Sequence, residues 1–214
     1  MIILFNGPPG SGKDHAADFF KQHGFKHLSF KYQLFVETMK YFGVDTEWFM
    51  QRYNDRSKKE VPTSLLDNMS CREAMIFVSE QVIKPRWGSD YFGNLVAEEI
   101  DIHKNYAISD GGFIDELIPV VERVGSDNFL LVQLTRDGHD FSSDSRRYFD
   151  GNIVQEFVLG NRTEVEKKYV LPHKFDVKTY RIHNNLGVSE FEGALEQIFK
   201  NEINILLGTC MRKE

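Results

Sequence analysis

The chain has 214 residues and a formal net charge of -6 at pH 7. This length fits a single α/β domain over 1–214 with insertions, because one hydrophobic core can fill it and no Gly/Ser-rich or Pro-rich linker divides it. The acidic balance argues against a nucleic-acid polymer as partner, and no apolar stretch reaches the length needed to span a membrane. The two cysteines fit no metal-ligand spacing and indicate a reducing, cytoplasmic environment.

The first predicted elements are a strand, a glycine-rich loop and a helix. Residues 1–6 form an apolar run typical of a buried parallel strand, and residues 14–22 are predicted to be helical. Between them, residues 7–14 (GPPGSGKD) follow the phosphate-binding pattern G-x-x-x-x-G-K-[ST], except that Asp14 replaces the final hydroxyl residue. Loop N–H groups and the positive end of the helix would surround phosphate oxygens, so the segment predicts bound ATP. The residues expected to contact it are Gly7, Pro9, Gly10, Ser11, Gly12, Lys13, Asp14 and His15.

Two residues of this segment leave alternatives open. The hydroxyl that Asp14 replaces usually binds Mg²⁺, so the carboxylate either holds the metal differently or accepts a proton beside the transferring phosphate. His15 could contact phosphate, and a histidine on the helix surface is the alternative.

Helices are predicted next, and they would form the acceptor-binding region over about residues 31–104. Residues 24–30 fit a short strand, and an aromatic-rich helix follows over 33–42. The charged residues 45–61 are interpreted as a solvated connection. Ser70 to Glu73 match a capping box, so Arg72 is expected in the first turn of a helix.

The helix that begins at Ser70 is expected to stop at Pro85. Another helix is predicted from Asp90 onwards. Asp90 and the nearby aromatic residues Trp87, Tyr91 and Phe92 could form the wall of a base-binding pocket, and core packing is the alternative.

Polar residues follow two predicted buried strands, residues 106–108 and 129–134. Asp110 comes after the first strand and Arg136 after the second. Ligands of open parallel sheets bind outside the carboxyl ends of the strands, so both residues are expected near the phosphate loop.

The last third of the chain is predicted to contain a lid or insertion over about 137–175. Residues 139–150 are rich in Ser, Asp and Arg, as in a mobile lid. Residues 154–159 and 177–182 are β-prone, and a final helix is expected over about 189–207.

Several arginines could compensate charge during phosphoryl transfer, a reaction that depends mainly on positioning and electrostatics. Arg72 and Arg86 are predicted to bind the acceptor phosphate, and Arg136 to stabilise the transition state. Arg146 and Arg147 lie in the predicted lid and could close onto the transferring group. For each, the alternative is a solvated or locally paired arginine.

A magnesium site is predicted from Asp14 and Asp110. Asp110 occupies the place of a strand-end acid that holds Mg²⁺ directly or through water, and the alternative is a turn-forming aspartate. Two carboxylates beside a triphosphate would repel it without a divalent ion, so together they favour metal dependence.

Taken together, these residues resemble the phage deoxynucleoside monophosphate kinase family and, more loosely, other small P-loop kinases with Gly-Lys-Asp in the loop. The resemblance is discontinuous but covers most of the chain, and only the loop is specific by itself. The matching positions are Gly12-Lys13-Asp14, Phe25 to Phe30, Arg72-Glu73, Gly88-Ser89-Asp90, Asp110-Gly111-Gly112-Phe113 with Glu116, Thr135-Arg136 and Asn184-Asn185.

The resemblance implies a P-loop NTPase-type three-layer α/β fold with a central, mostly parallel sheet. It also implies transfer of phosphate from ATP to a (deoxy)nucleoside 5′-monophosphate in the cytoplasm, that of the host if the protein is phage-encoded, and is compatible with a homodimer. Two positions depart from the pattern. The similar segment Asp-x-Arg-Phe carries an arginine where this chain has Gly112, so one anionic contact is missing or supplied elsewhere. His15 replaces a frequent hydroxyl residue.

Two other functions remain open from the sequence. The acceptor could be a hydroxyl-bearing small molecule, such as a nucleoside or a metabolite, with Asp14 as the base. The chain could also be a nucleotide-binding regulatory module without turnover.

Overall fold

The computed structural model describes residues 1–142, 144–165, 168–172 and 174–210, with side chains up to residue 203. The strands in this part of the chain are β1 (Ile2–Asn6), β2 (Lys26–Leu28), β3 (Tyr106–Ile108), β4 (Phe129–Thr135), β5 (Tyr148–Asp150), β6 (Asn152–Leu159), β7 (Lys168–Val170) and β8 (Lys178–Asn184). The helices are α1 (Lys13–Gln22), α2 (Phe30–Phe42), α3 (Thr46–Asn54), α4 (Cys71–Phe77), α5 (Lys84–Trp87), α6 (Tyr91–Glu99), α7 (Ile114–Val124) and α8 (Val188–Cys210).

A six-stranded sheet forms the centre of the molecule, in the order β2-β3-β1-β4-β8-β6. Every strand pair described in it is parallel. All residues of β1 and β4 are buried, as the continuous apolar runs predict for strands covered on both faces. The predicted α/β class with a mostly parallel central sheet is therefore confirmed, and the carboxyl ends of β1, β3, β4 and β8 meet at one edge.

Helices cover both faces of this sheet. Successive residues of a strand point to opposite faces, so β1 contributes to two cores. Ile3 and Phe5 pack with α1 and α8, whereas Ile2 and Leu4 pack with α6 and α7. This arrangement is compatible with a three-layer α/β fold.

The charged segment 45–61 is only partly the connection that its composition predicted. Its first half forms α3, which begins after Asp45, where the side chain accepts a hydrogen bond of 3.0 Å from the backbone N–H of Trp48. Phe49 anchors the helix in a separate core with Phe35 and Leu66. Burial of this one aromatic side chain outweighs the polar character of its neighbours.

The helix that begins at Ser70 does not stop at Pro85, contrary to the prediction. After α4 the chain widens into a π-helical stretch, Val78–Ile83, and continues as α5. The backbone N–H of Lys84 donates to the carbonyl of Ser79, five residues earlier. This wider turn accommodates Pro85, which has no N–H to donate and would crowd a regular helical turn.

The predicted lid over about 137–175 contains part of the sheet. β6 pairs with β8 at the sheet edge, and β5 pairs with β7 in a separate two-stranded ladder. Four positions of the predicted lid, residues 143, 166, 167 and 173, lie outside the described residues. Among the helices of the described residues, none combines the length and apolar character needed to cross a membrane.

Candidate functional site

The glycine-rich loop connects the end of β1 to the start of α1. Gly10 and Gly12 adopt φ angles of 80° and 105°, in the left-handed region that favours glycine. Lys13 begins α1, and its Nζ donates to the carbonyl of Pro8 at 2.6 Å. The loop therefore wraps around the helix N-terminus, where backbone N–H groups and the helix dipole favour an anion.

Lys13 is buried although it is charged. The pKa of its ammonium is lowered from 10.5 to about 8, mainly by burial and also by the positive charge of Arg146, while Asp14 opposes the change. An anion bound beside the ammonium would favour its charged form, so the environment of Lys13 suits an anionic ligand.

Residues at the ends of β4 and β8 hold the outer side of the loop. Arg136 Nη1 donates to the carbonyl of Gly10 at 3.3 Å, and the His139 ring lies 2.9 Å from the carbonyl of Pro9. Asn184 Nδ2 donates to the carbonyl of Ser11 at 3.1 Å. The structure thus places Arg136 at the loop, whereas its contact with phosphate stays a prediction.

A cavity of about 640 Å³ opens beside the loop, and Pro9 forms part of its wall. Its apolar lining residues are Phe30, Leu34, Met75, Ile76, Phe92 and Phe113. Its charged lining residues within the described chain are Lys31, Lys59, Arg72, Lys84 and Arg146, together with Glu80, Asp110, Glu116 and Asp144. Basic groups outnumber acidic ones here although the chain as a whole is acidic, so the cavity suits an anion that also has an apolar part.

Arg72 reaches the cavity because the predicted capping box forms. Ser70 Oγ accepts a hydrogen bond from the N–H of Glu73 at 3.3 Å, and the Glu73 carboxylate accepts one from the N–H of Ser70 at 2.8 Å. This cap places Arg72 in the first turn of α4, exposed and at the cavity wall. Within the described part of the chain, its guanidinium makes no hydrogen bond or ion pair.

Three of the residues predicted to bind the acceptor, Arg86, Asp90 and Arg147, are not among the described residues that line this cavity. Arg86 stays on the helix surface because the helix continues past Pro85, and its guanidinium lies 5.0 Å from the ring centre of Trp87. Both residues face a separate hollow of about 200 Å³.

The side chains of Asp90, Arg147 and His15 are each held by other contacts. Asp90 precedes α6 and accepts a hydrogen bond of 3.0 Å from Asn94 Nδ2. The guanidinium of Arg147 lies 5.3 Å from the ring centre of Tyr169. His15 pairs with Glu192 at 2.9 Å on the surface of α1. Of the two neighbouring lid arginines, only Arg146 faces the cavity.

Asp110 joins the cavity to the start of α2. Its Oδ2 accepts hydrogen bonds from Ser29 Oγ at 2.6 Å and from the N–H of Lys31 at 2.8 Å, and its Oδ1 accepts one from the N–H of Phe30 at 3.2 Å. A carboxylate oxygen accepts about two hydrogen bonds, so Oδ1 keeps one free acceptor position toward a metal or its water. Asp110 therefore caps the distant helix α2 instead of forming a local turn, and its metal role stays a prediction.

The metal prediction rests on Asp14 and Asp110. Asp14 is exposed in the first turn of α1 beside Lys13. Among the described residues, no three or more His, Cys, Asp or Glu side chains form a cluster that could hold a metal by itself. Mg²⁺ at a phosphate commonly takes one or two carboxylates plus waters and phosphate oxygens, so these two residues suit a metal that arrives with its nucleotide.

Glu116 is a site residue to which the sequence assigned no role. α6 and α7 pack closely here, since a Cβ at Gly93 would lie only 2.5 Å from the carbonyl oxygen of Glu116. The pKa of the Glu116 carboxyl is raised from 4.5 to about 8, mainly by burial and also by the charge of Asp110, against the effect of Lys84 and Arg146. The carboxyl is therefore protonated at neutral pH. Its position beside the apolar residues of α7 was the available signal.

Glu116 predicts a specific pH dependence of stability. Because its folded pKa exceeds its unfolded value, its favourable contribution is complete below about pH 4.5 and is lost as the pH rises through about 8. Each pKa unit corresponds to about 1.4 kcal/mol. We expect Glu116→Gln to gain unfolding free energy relative to the wild type between pH 5 and pH 8, as measured by urea unfolding.

The matched control is Glu122→Gln, on the exposed side of the same helix. Its difference from the wild type should be constant over this pH range. Parallel pH profiles for the wild type and Glu116→Gln would contradict the assignment.

Asp144 is a second residue that sequence reasoning missed. Its carboxylate accepts hydrogen bonds from Arg146 Nε at 3.0 Å and from the N–H of Arg146 at 2.9 Å. Burial raises the pKa of Asp144, but the hydrogen bonds and charge of Arg146 outweigh burial and lower the pKa overall. Arg146 thus enters the cavity already paired with an ionised carboxylate.

Comparison with protein-family models finds no matching family, and comparison with curated proteins finds no significant match.

Proposed function

We propose that the chain is a P-loop NTPase-type kinase that transfers the γ-phosphoryl group of ATP to the 5′-phosphate of a (deoxy)nucleoside monophosphate. The observation that carries this proposal is that the candidate donor site, the glycine loop, adjoins the candidate acceptor site, the cavity. The glycine loop ending at Lys13 borders directly on a cavity of about 640 Å³ that has both basic and apolar walls. A donor triphosphate and an anionic acceptor would meet where the two sites adjoin.

The loop supplies the donor side. Its N–H groups and the N-terminus of α1 would bind the outer phosphates, and Lys13 would exchange the Pro8 carbonyl for a phosphate oxygen. Arg136 lies on the other side of the loop, at Gly10. Mg²⁺, when bound, neutralises charge on the β- and γ-phosphates; Asp14 would hold it and Asp110 would orient one of its waters.

The cavity supplies the acceptor side. Arg72 is exposed at its wall and would bind the acceptor phosphate in a charge-assisted, two-pronged contact. Phe30, Met75 and Phe92 offer apolar surface for a nucleoside. A phosphate oxygen of the acceptor forms the new bond to the γ-phosphorus while the bond to the β–γ bridging oxygen breaks, so that ADP leaves.

An ionised phosphate acceptor needs no general base, whereas a hydroxyl acceptor must lose its proton during the transfer. Glu116 lines the cavity, but its raised pKa makes it a poor base at neutral pH, so a hydroxyl acceptor would depend on Asp14.

An assay of ADP release tests the proposal directly. Purified protein with ATP and Mg²⁺ is offered each nucleoside monophosphate in ribose and deoxyribose forms. We expect at least one of them to stimulate ADP release and to appear as its diphosphate. Absence of stimulation by every monophosphate would overturn the proposal.

Two arginines provide a matched test of the acceptor site. Arg72→Met should raise the KM for the acceptor by about tenfold to 100-fold, because a hydrogen bond to a charged group contributes about 1.5–3 kcal/mol. The KM for ATP should stay unchanged. Arg86→Met is the control, since Arg86 lies on Trp87 away from the cavity, and it should change neither constant more than about twofold. Equal effects of the two substitutions on the acceptor KM would contradict the placement of the acceptor phosphate.

A further inference from the structure

Gly112 has no conformational reason to be a glycine. Its φ angle is outside the left-handed region in which glycine is favoured over other residues. A Cβ at this position would lie 2.6 Å from each of the Cβ, Cγ and Cδ atoms of Arg146. This clash involves the base of the arginine side chain and not its flexible tip, so rotation of the tip could not relieve it. The missing side chain therefore makes room for Arg146.

The backbone keeps Arg146 in this space. The N–H of Arg147 donates to the carbonyl of Gly112 at 3.2 Å, which joins the segment before β5 to the segment after β3. Asn6 Nδ2 donates to the carbonyl of Arg147 at 2.9 Å and ties the same segment to the end of β1. Arg146 therefore enters the cavity from a position held at both the first and the third strand.

Arg146 lines the cavity together with Pro9 of the glycine loop and with Glu116. Its positive charge opposes the rise in the pKa of Glu116. Its side chain is only 20% exposed, and the Asp144 carboxylate is paired with its Nε. A cation with its stem fixed by packing and its Nε fixed by a carboxylate is oriented before any ligand arrives.

We propose that Arg146, packed against Gly112 and positioned by Asp144, is the cation that contacts the transferring phosphoryl group. The proposal rests on the function proposed above and deepens it. Arg146 thereby supplies the anionic contact that an arginine at position 112 makes in the similar Asp-x-Arg-Phe segment. Asp144 keeps Nε and one N–H of Nη2, while Nη1 and the other N–H of Nη2 donate to oxygens of the phosphoryl group. Arg146 itself forms and breaks no covalent bond.

Substitutions at both positions test this assignment. Arg146→Met should lower kcat by about 10²-fold or more with little change in the KM for ATP, because the lost contact strengthens only in the transition state. Gly112→Ala should also lower kcat substantially, although it removes no charge. Arg147→Met is the control and should stay within about threefold of the wild type, since Arg147 lies over Tyr169.

A reciprocal exchange separates the catalytic role from a structural one. Arg146→Gly alone should lose activity. The double variant Arg146→Gly with Gly112→Arg should have a kcat at least about tenfold higher than that of Arg146→Gly, because the new side chain occupies the same space from the opposite side. The proposal is overturned if Arg146→Met lowers kcat by less than threefold, if Gly112→Ala keeps full activity, or if the exchange recovers no activity in a variant whose melting temperature equals that of the wild type.

A second measurement keeps this inference independent of the kinase proposal. If the wild type phosphorylates no nucleoside monophosphate, the proposed function fails, and the position of Arg146 is tested through Glu116 instead. Removal of Arg146 by methionine or its displacement by Gly112→Ala should raise the pKa of Glu116, measured by NMR titration of the carboxyl carbon, because a nearby positive charge is lost. An unchanged Glu116 titration in both variants would show that Arg146 does not occupy this position.

Discussion

Replacing Lys13 by methionine is expected to lower the rate of phosphoryl transfer by about 10²- to 10³-fold, the range typical for loss of one preorganised donor at a transition state. Lys13 is the cation that begins α1 directly after the glycine loop. Methionine retains most of the length of the side chain without its charge. We expect the loss in kcat/KM for ATP, measured by coupled ADP release with the best monophosphate acceptor.

The same substitution should not weaken the fold. The pKa of Lys13 falls from 10.5 to about 8, mainly through burial, so the charged side chain disfavours folding below about pH 8, and this cost disappears as the pH rises toward 10.5. At pH 7 the melting temperature of Lys13→Met should equal or exceed that of the wild type.

Lys21→Met is the control, because Lys21 is exposed in the last turn of the same helix. It should leave activity unchanged. Full activity of Lys13→Met would mean that the loop does not bind the donor phosphates.

Replacing Asp14 by asparagine is expected to lower transfer by at least about tenfold at low Mg²⁺, with recovery as Mg²⁺ is raised. Asp14 is exposed in the first turn of α1, next to Lys13, and supplies one of the two predicted carboxylates for the metal. Loss of one negative ligand weakens the affinity for Mg²⁺ without removing the nucleotide site. The apparent dissociation constant of Mg²⁺, from rates over a series of Mg²⁺ concentrations, is the measurement.

The same variant distinguishes the two kinds of kinase. If Asp14 is a base for a hydroxyl acceptor, Asp14→Asn loses transfer at every Mg²⁺ concentration, and a carboxylate ionisation disappears from the pH profile of kcat. Asp18→Asn, exposed one turn later on α1, is the control and should behave like the wild type. Rescue by Mg²⁺ supports the phosphate acceptor, and its absence favours the hydroxyl acceptor.

The parts of the site that were predictable from sequence are those built from neighbouring residues. The glycines at positions 10 and 12, the lysine at the helix start and the Ser70 capping box depend on interactions over three or four residues. The prediction that Asp110 and Arg136 lie near the loop required one more rule, that parallel strands present their carboxyl ends at a common edge. Arg136 contacts the loop at Gly10, whereas Asp110 caps α2 and lines the cavity that Pro9 also borders.

The predictions that failed depended on local signals that distant packing overruled. Pro85 normally ends a helix, but a wider turn absorbs it and carries Arg86 away from the cavity. The charged composition of residues 45–61 concealed α3, which is held by burial of Phe49. The apolar neighbours of Glu116 in α7 indicated a buried position, but its perturbed carboxyl depends on the close packing of α6 on α7.

The sequence by itself determined the glycine-rich loop between β1 and α1 and the parallel α/β class, because loop conformation and apolar strand runs are properties of contiguous residues. Only the tertiary structure decided which arginine faces the cavity. Arg146 and Arg147 are neighbours with the same chemistry, and the space beside Gly112 admits the first while Tyr169 holds the second. Contacts between segments far apart in the chain exist only once the sheet has brought them together, so no local pattern distinguishes the two arginines.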